Sequence, residues 1–231
     1  MSKAARMLKL KDTAQYCVVS FHTISSNSED YYTKEELEEL YAFCKRHDLY
    51  LYMDGARLAA ALAAGDITHL TFPDLPKLCD AFYIGGTKTG AMFGEALVLV
   101  NDTFKDHFRF NMKQRGAILA KGWMLGIQFE ELFKNNLYIE AGAHSIAMMK
   151  PIKEAFEKAG IPLLCEAPTN QIFPIFPNAL ADEINKKYLT TFQCKPDKDH
   201  TCLRFCTSWA TNENAVKDFV EDFEEMCNRL L

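Results

Sequence analysis

Apolar and polar positions alternate along the first hundred residues in two kinds of block. Short runs of aliphatic, aromatic and β-branched residues at 16–24, 49–53, 81–84 and 96–100 read as buried strands. Helical spacing fills the intervals. Leu37, Leu40, Tyr41 and Cys44 recur at three and four residues. They follow Thr33-Lys34-Glu35-Glu36, a threonine cap with a carboxylate three residues on. An Ala-rich helix at 58–64, closed by Gly65, and a short helix near 75–79 come next. Strands alternating with helices predict βαβ units and a mostly parallel sheet.

The pattern then changes. From 104 to 160 the spacing is helical, with a near-continuously apolar, buried helix predicted over 117–133 and an amphipathic one over 137–159. Trp123, Met124 and Phe129 read as core residues. Strands at 162–165, 171–176 and 202–208 then alternate with helices at 179–188 and 213–230. The expected organisation is a large α/β domain over residues 1–135, then a linking helix and a smaller α+β domain over 136–231.

Composition narrows the function. The 231 residues are 48% hydrophobic and 25% charged, with a net charge of -5. That balance gives no electrostatic footprint for nucleic acid or an anionic membrane. No apolar stretch approaches the roughly 20 residues of a membrane span. The eight cysteines show no Cys-x-x-Cys pairing, and Cys17, Cys44, Cys79, Cys165 and Cys227 lie in apolar surroundings. Such thiols read as reduced and buried, which predicts a cytoplasmic protein. The histidines show no metal spacing; His22 lies within the first predicted strand.

The chemistry centres on Lys88, in Gly85-Gly86-Thr87-Lys88-Thr89-Gly90 after the apolar run Ala81-Phe82-Tyr83-Ile84. Glycines at the end of a buried strand permit a sharp turn, and the lysine is expected to enter a crevice lined by small residues. A desolvated lysine loses its proton more easily and attacks carbonyls, which points to a Schiff base with pyridoxal 5'-phosphate. A P-loop needs a different glycine spacing. Asp54, in Tyr52-Met53-Asp54-Gly55-Ala56-Arg57, ends another strand. Alone it reads as a helix N-cap paired with Arg57. Beside Lys88 it reads as the partner of a protonated pyridine nitrogen. Their separation of 34 residues fits one crossover, placing both at the same sheet edge.

Three further stretches carry a family likeness: Gly94-Glu95-Ala96, Pro168-Thr169-Asn170-Gln171-Ile172-Phe173 and Leu203-Arg204-Phe205-Cys206-Thr207-Ser208-Trp209. Together with the Asp54 and Lys88 motifs, the chain resembles the aromatic amino acid beta-eliminating lyase/threonine aldolase family, fold-type I pyridoxal-phosphate enzymes. The resemblance implies that Lys88 bonds the cofactor, Asp54 pairs with its ring nitrogen, and Arg57 lies near cofactor and substrate carboxylate. It implies that Arg204 binds that carboxylate from the small domain and that Lys121 approaches the phosphate, although Lys121 also reads as a surface lysine. The implied reaction is carbon–carbon cleavage of a β-hydroxy-α-amino acid, threonine giving glycine and acetaldehyde. A homodimer or homotetramer is expected.

The resemblance runs from about residue 16. The family's preceding segment holds the phosphate turn and a ring-stacking aromatic residue, and Met1–Gln15 offers neither. The large domain is therefore expected to be N-terminally truncated, with apolar faces that drive association. The alternatives are an impaired, non-enzymatic relative, or another β-eliminating lyase or racemase on the same fold.

Overall fold

The computed structural model describes residues 31–166 and 168–231 in full and residues 16–20 as backbone. The elements are β1 (Tyr16–Ser20), α1 (Lys34–Arg46), β2 (Tyr50–Asp54), α2 (Leu58–Ala63), α3 (Gly65–Thr68), α4 (Leu75–Leu78), β3 (Ala81–Gly85) and β4 (Glu95–Leu99). Then come α5 (Phe108–Gln114), α6 (Trp123–Phe133), α7 (Leu137–Lys158), β5 (Gln171–Ile172), β6 (Ile175–Pro177), α8 (Asn178–Lys187), β7 (Thr191–Cys194), β8 (His200–Cys206) and α9 (Glu213–Leu230). Met1–Gln15, the loop at 25–30 and His22 in the run 21–24 lie outside the described residues.

The first sheet has the order β1-β2-β3-β4, its first three strands parallel. The predicted βαβ units are therefore present. β4 departs from them and pairs antiparallel with β3, Gly85 opposite Glu95. The loop between them is too short for the dozen or more residues of a parallel crossover. Thr33 caps α1 as its sequence dictates, accepting the Glu36 N–H while the Glu36 carboxylate accepts the Thr33 N–H. Leu37, Leu40 and Cys44 of α1, Leu51 and Met53 of β2, Phe82 and Ile84 of β3 and Leu58 and Leu62 of α2 form one core.

The second sheet gathers around β8, which pairs antiparallel with β5, β6 and β7. The single strand expected at 171–176 is split between Ile172 and Ile175 because Pro174 has no N–H to give a ladder. The strand expected at 162–165 reduces to one bridge, Leu163 to Pro174. Phe156 of α7 is fully buried at the centre of this second core, with ring centroids 5.2 Å from Phe176 and 4.8 Å from Phe223.

Helix α7 joins the halves. Its Tyr138 belongs to the first core, and its Met149, Ile152 and Phe156 belong to the second. Near Tyr138 it crosses α2 so closely that a Cβ at Gly142 would fall 2.5 Å from the Ala59 carbonyl carbon.

The buried helix expected over 117–133 is corrected. Only Trp123–Phe133 is helical, and residues 117–121 are exposed. Gly116 and Lys121 take left-handed φ values of 71° and 63°, which no continuous helix accommodates. Phe129 and Leu132 reach the core, but Trp123 is 63% and Met124 50% exposed. The apolar character of this stretch lies largely on a surface.

One polar group organises the amino half. Asp80 is 1% exposed. Its Oδ1 accepts from Lys45 Nζ at 2.6 Å and Asn101 Nδ2 at 2.8 Å, and its Oδ2 accepts the Leu51 N–H at 2.9 Å. It thus ties α1, β2 and the exit of β4 to the entry of β3. Burial alone would raise its pKa; the bonds from Asn101, Lys45 and Leu51 outweigh burial and lower it. Because the folded value is lowered, the stabilisation is present above the unfolded value of about 3.9 and is lost as pH falls through the folded one. Asp80→Asn is expected to destabilise the chain by about 3 kcal/mol at pH 7. In denaturant melts that penalty should shrink below about pH 4.

Candidate active site

Since β2 and β3 are adjacent and parallel, their carboxyl ends open on one edge of the sheet, where open α/β folds bind ligands. Asp54 is the last residue of β2, and Lys88 follows the last residue of β3 by one short turn. The backbones there are pressed together. Gly85 N–H donates to the Gly55 carbonyl at 3.0 Å. A Cβ at Gly85 would stand 2.6 Å from both the Gly55 and Ala56 carbonyl oxygens, and one at Gly55 would strike the Tyr83 carbonyl. Only glycine permits that approach.

Two donors meet at one oxygen of Asp54. Oδ1 accepts the Ala56 N–H at 3.1 Å and the phenol O–H of Tyr83. Burial, and then the bond to this carboxylate, push the Tyr83 phenol well above an ordinary tyrosine.

The lysine turn is braced from several sides. Glu95 accepts the Gly86 N–H at 2.5 Å and the Thr87 hydroxyl at 3.0 Å. The Thr89 and Ala91 amides both donate to the Gly86 carbonyl, at 2.9 and 3.0 Å. Tyr138 of α7 donates its phenol to the Gly85 carbonyl at 2.9 Å. Gln128 of α6 accepts the Met92 N–H at 2.7 Å. Lys88 itself is exposed rather than enclosed as the sequence predicts. Partial burial of its amino group, and next the Arg57 charge, still lower its pKa; Asp54 and Glu95 oppose that shift in part.

The second half reaches the same place. Arg57 Nη2 lies 3.8 Å from Sγ of Cys206, the last residue of β8. Asn170 Nδ2 lies 3.8 Å from the same sulfur and donates to the Thr207 carbonyl at 2.5 Å. The Thr207 hydroxyl donates to the Ser145 carbonyl of α7, also at 2.5 Å. Beyond it, the Trp209 ring is 3.7 Å from where a Cβ on Gly90 would sit.

Asp54, Arg57 and Lys88 therefore form one electrostatically coupled group, as their sequence positions imply. Arg204 lies on β8 two residues before Cys206, so the two share a strand face. Its Nη2 lies 3.4 Å from the Thr191 hydroxyl, and its buried Nε has no hydrogen-bond partner among the described residues. Lys121 stands in an exposed turn before α6, not inside a buried helix. Tyr83, Glu95 and Cys206 are members of the group with no role predicted from the sequence. Alternation along β3 is the signal for Tyr83, which shares a face with Gly85 at the strand end.

The donor set fits pyridoxal 5'-phosphate at two points: an amine of lowered pKa for its aldehyde, and an oriented carboxylate for its ring nitrogen. The orphaned Arg204 Nε fits an anionic ligand.

Comparison with known proteins agrees with this chemistry. The family model described as beta-eliminating lyase matches residues 5–175, beginning earlier than the motifs predict. A low specificity L-threonine aldolase of Pseudomonas sp. (strain NCIMB 10558) is 27% identical over 200 residues, covering 83% of this chain and 54% of its own. Its counterpart from Pseudomonas aeruginosa is 23% identical over 197 residues, with the same coverages. The solved threonine aldolase of Leishmania major is 45% identical, with a TM-score of 0.85 over 91% of this chain and 60% of that one. A Sphingomonas wittichii serine palmitoyltransferase, 15% identical, shares the fold with a TM-score of 0.69 over 98% of this chain and 58% of its own. The fold is that of the fold-type I pyridoxal-phosphate enzymes. The chain spans about half the length of the curated relatives it matches. With the family model covering most of its residues and the lysine and aspartate at adjacent strand ends, the chain belongs to the beta-eliminating lyase family.

Proposed function

We propose that the protein is a pyridoxal-phosphate-dependent carbon–carbon lyase of the threonine aldolase type, acting on a β-hydroxy-α-amino acid. The observation that carries this reading is the convergence of Lys88, Asp54 and Arg57 on one sheet edge, in a chain 45% identical to a solved threonine aldolase. When bound, pyridoxal 5'-phosphate supplies an aldehyde for an amino group and a ring that takes up the electrons of a breaking bond. Lys88 would hold the cofactor through its aldehyde, and its lowered pKa increases the neutral amine available at a given pH. Asp54 would hold the ring nitrogen in its protonated form. Arg57 and Arg204 hold the substrate carboxylate, the fork of Arg204 matching its two oxygens. Threonine would give glycine and acetaldehyde. The division near residue 136 then separates a cofactor half from a half that carries the carboxylate arginine.

The free thiols of all seven cysteines with described side chains support a reducing compartment, the cytoplasm. Among the described residues, no helix is long and apolar enough to cross a membrane. A second copy is the proposed partner. Met92, Phe93, Trp123, Met124 and Ile127 are all exposed, and Gln128 ties the 92–93 turn to α6, so these side chains share one region of surface.

Three outcomes follow. Wild-type protein with pyridoxal 5'-phosphate should develop a visible absorbance band and release acetaldehyde from threonine; Lys88→Ala should abolish both. An unchanged spectrum in that variant would remove Lys88 from the cofactor. Arg204→Lys keeps the charge but loses the fork, and should raise the KM for threonine roughly 10- to 100-fold with a smaller effect on kcat. Light scattering after size exclusion should show a dimer or larger assembly, shifted towards monomer by Trp123→Glu. A monomeric wild type would contradict the proposed partner.

A further inference from the structure

Tyr83 lies in a strand where an aromatic residue needs no explanation beyond packing. Its neighbours give it one. The side chain is half-buried, its ring centroid 6.3 Å from that of Tyr52, and its phenol donates to Asp54 Oδ1. The same oxygen takes the Ala56 N–H. Two donors from different elements, one from β3 and one from the turn after β2, thus meet at a single carboxylate oxygen. Rotation of the carboxylate about its terminal bond would break both bonds. The strand cannot easily slide away, because the Gly55 backbone is pressed against the Tyr83 carbonyl.

We infer that Tyr83 is a positioning residue for the cofactor: its phenol fixes the orientation in which the Asp54 carboxylate meets the ring nitrogen. This rests on the proposed use of pyridoxal 5'-phosphate, and it concerns a residue to which neither the motifs nor the family likeness gives a role. A carboxylate that must find its orientation after the ligand arrives binds more weakly than one already held. A charged pair at close range depends steeply on geometry.

The test is a cycle of Tyr83→Phe and Asp54→Ala, read as the dissociation constant for pyridoxal 5'-phosphate and the pH midpoint of its visible band. Tyr83→Phe should weaken cofactor binding about tenfold, the scale of one hydrogen bond to a charged group. It should also raise the band's pH midpoint, because a less firmly protonated ring withdraws fewer electrons. Both effects should vanish when Asp54 is already alanine. Equal losses in the two backgrounds, or no loss in either, would overturn the positioning role. Tyr83→Leu, which removes the ring as well, should weaken binding no further than Tyr83→Phe if the hydroxyl is what matters; a much larger loss would assign the effect to packing. Lys88→Ala separates the two levels. If it keeps the visible band, the proposed lysine chemistry fails, while the Tyr83–Asp54 coupling is still decided by the affinity cycle. A wild type that binds no cofactor overturns both.

Discussion

The site depends on how closely two parallel strand ends approach each other. Gly55 and Gly85 let the turn after β2 and the end of β3 share a backbone hydrogen bond with no side chain between them. A methyl group at either position would force the strands apart. Asp54 would then lose the phenol of Tyr83, and Lys88 would swing away from Arg57 and Asp54. Asp54, Lys88 and Arg57, the arginine that opens α2, take their places from that contact, while Arg204 comes from β8.

The same edge is where the halves of the chain meet. Tyr138 of α7 bonds the Gly85 carbonyl, and a few residues further along the same helix the Ser145 carbonyl receives the Thr207 hydroxyl. One rigid helix thus measures the distance between the lysine turn and the end of β8. The Arg57–Cys206 contact closes that loop from the other side. Burial of Tyr138 and Phe156 in separate cores anchors the helix at both ends, so the halves are held by packing and positioned by a few hydrogen bonds.

Much of this was legible in the sequence because buried parallel strands are apolar on both faces and end abruptly. The runs at 49–53 and 81–84 reported both their depth and the point where chemistry could begin. Apolar character misled at 117–133, where left-handed backbone at Gly116 and Lys121 interrupts the helix and Trp123 and Met124 lie on the surface. The period of a helix does not say whether its apolar face meets the core of its own chain. Strand β7, Thr-Phe-Gln-Cys, escaped notice because its alternation spans only four residues and its burial does not follow it. Tyr83 escaped because an aromatic residue in a strand resembles core; only the position of its hydroxyl sets it apart. Lys88 was correctly located but too deeply buried in expectation, since glycines predict a turn and not what covers it.

The central claim is that the lysine turn brings one particular amine to a cofactor aldehyde. Incubation with pyridoxal 5'-phosphate, borohydride reduction and peptide mass spectrometry test it directly. The account predicts a single phosphopyridoxyl group on Lys88, formed at cofactor concentrations that leave the other lysines, Lys121 among them, unlabelled. Labelling spread over surface lysines, or concentrated on a lysine other than Lys88, would contradict it.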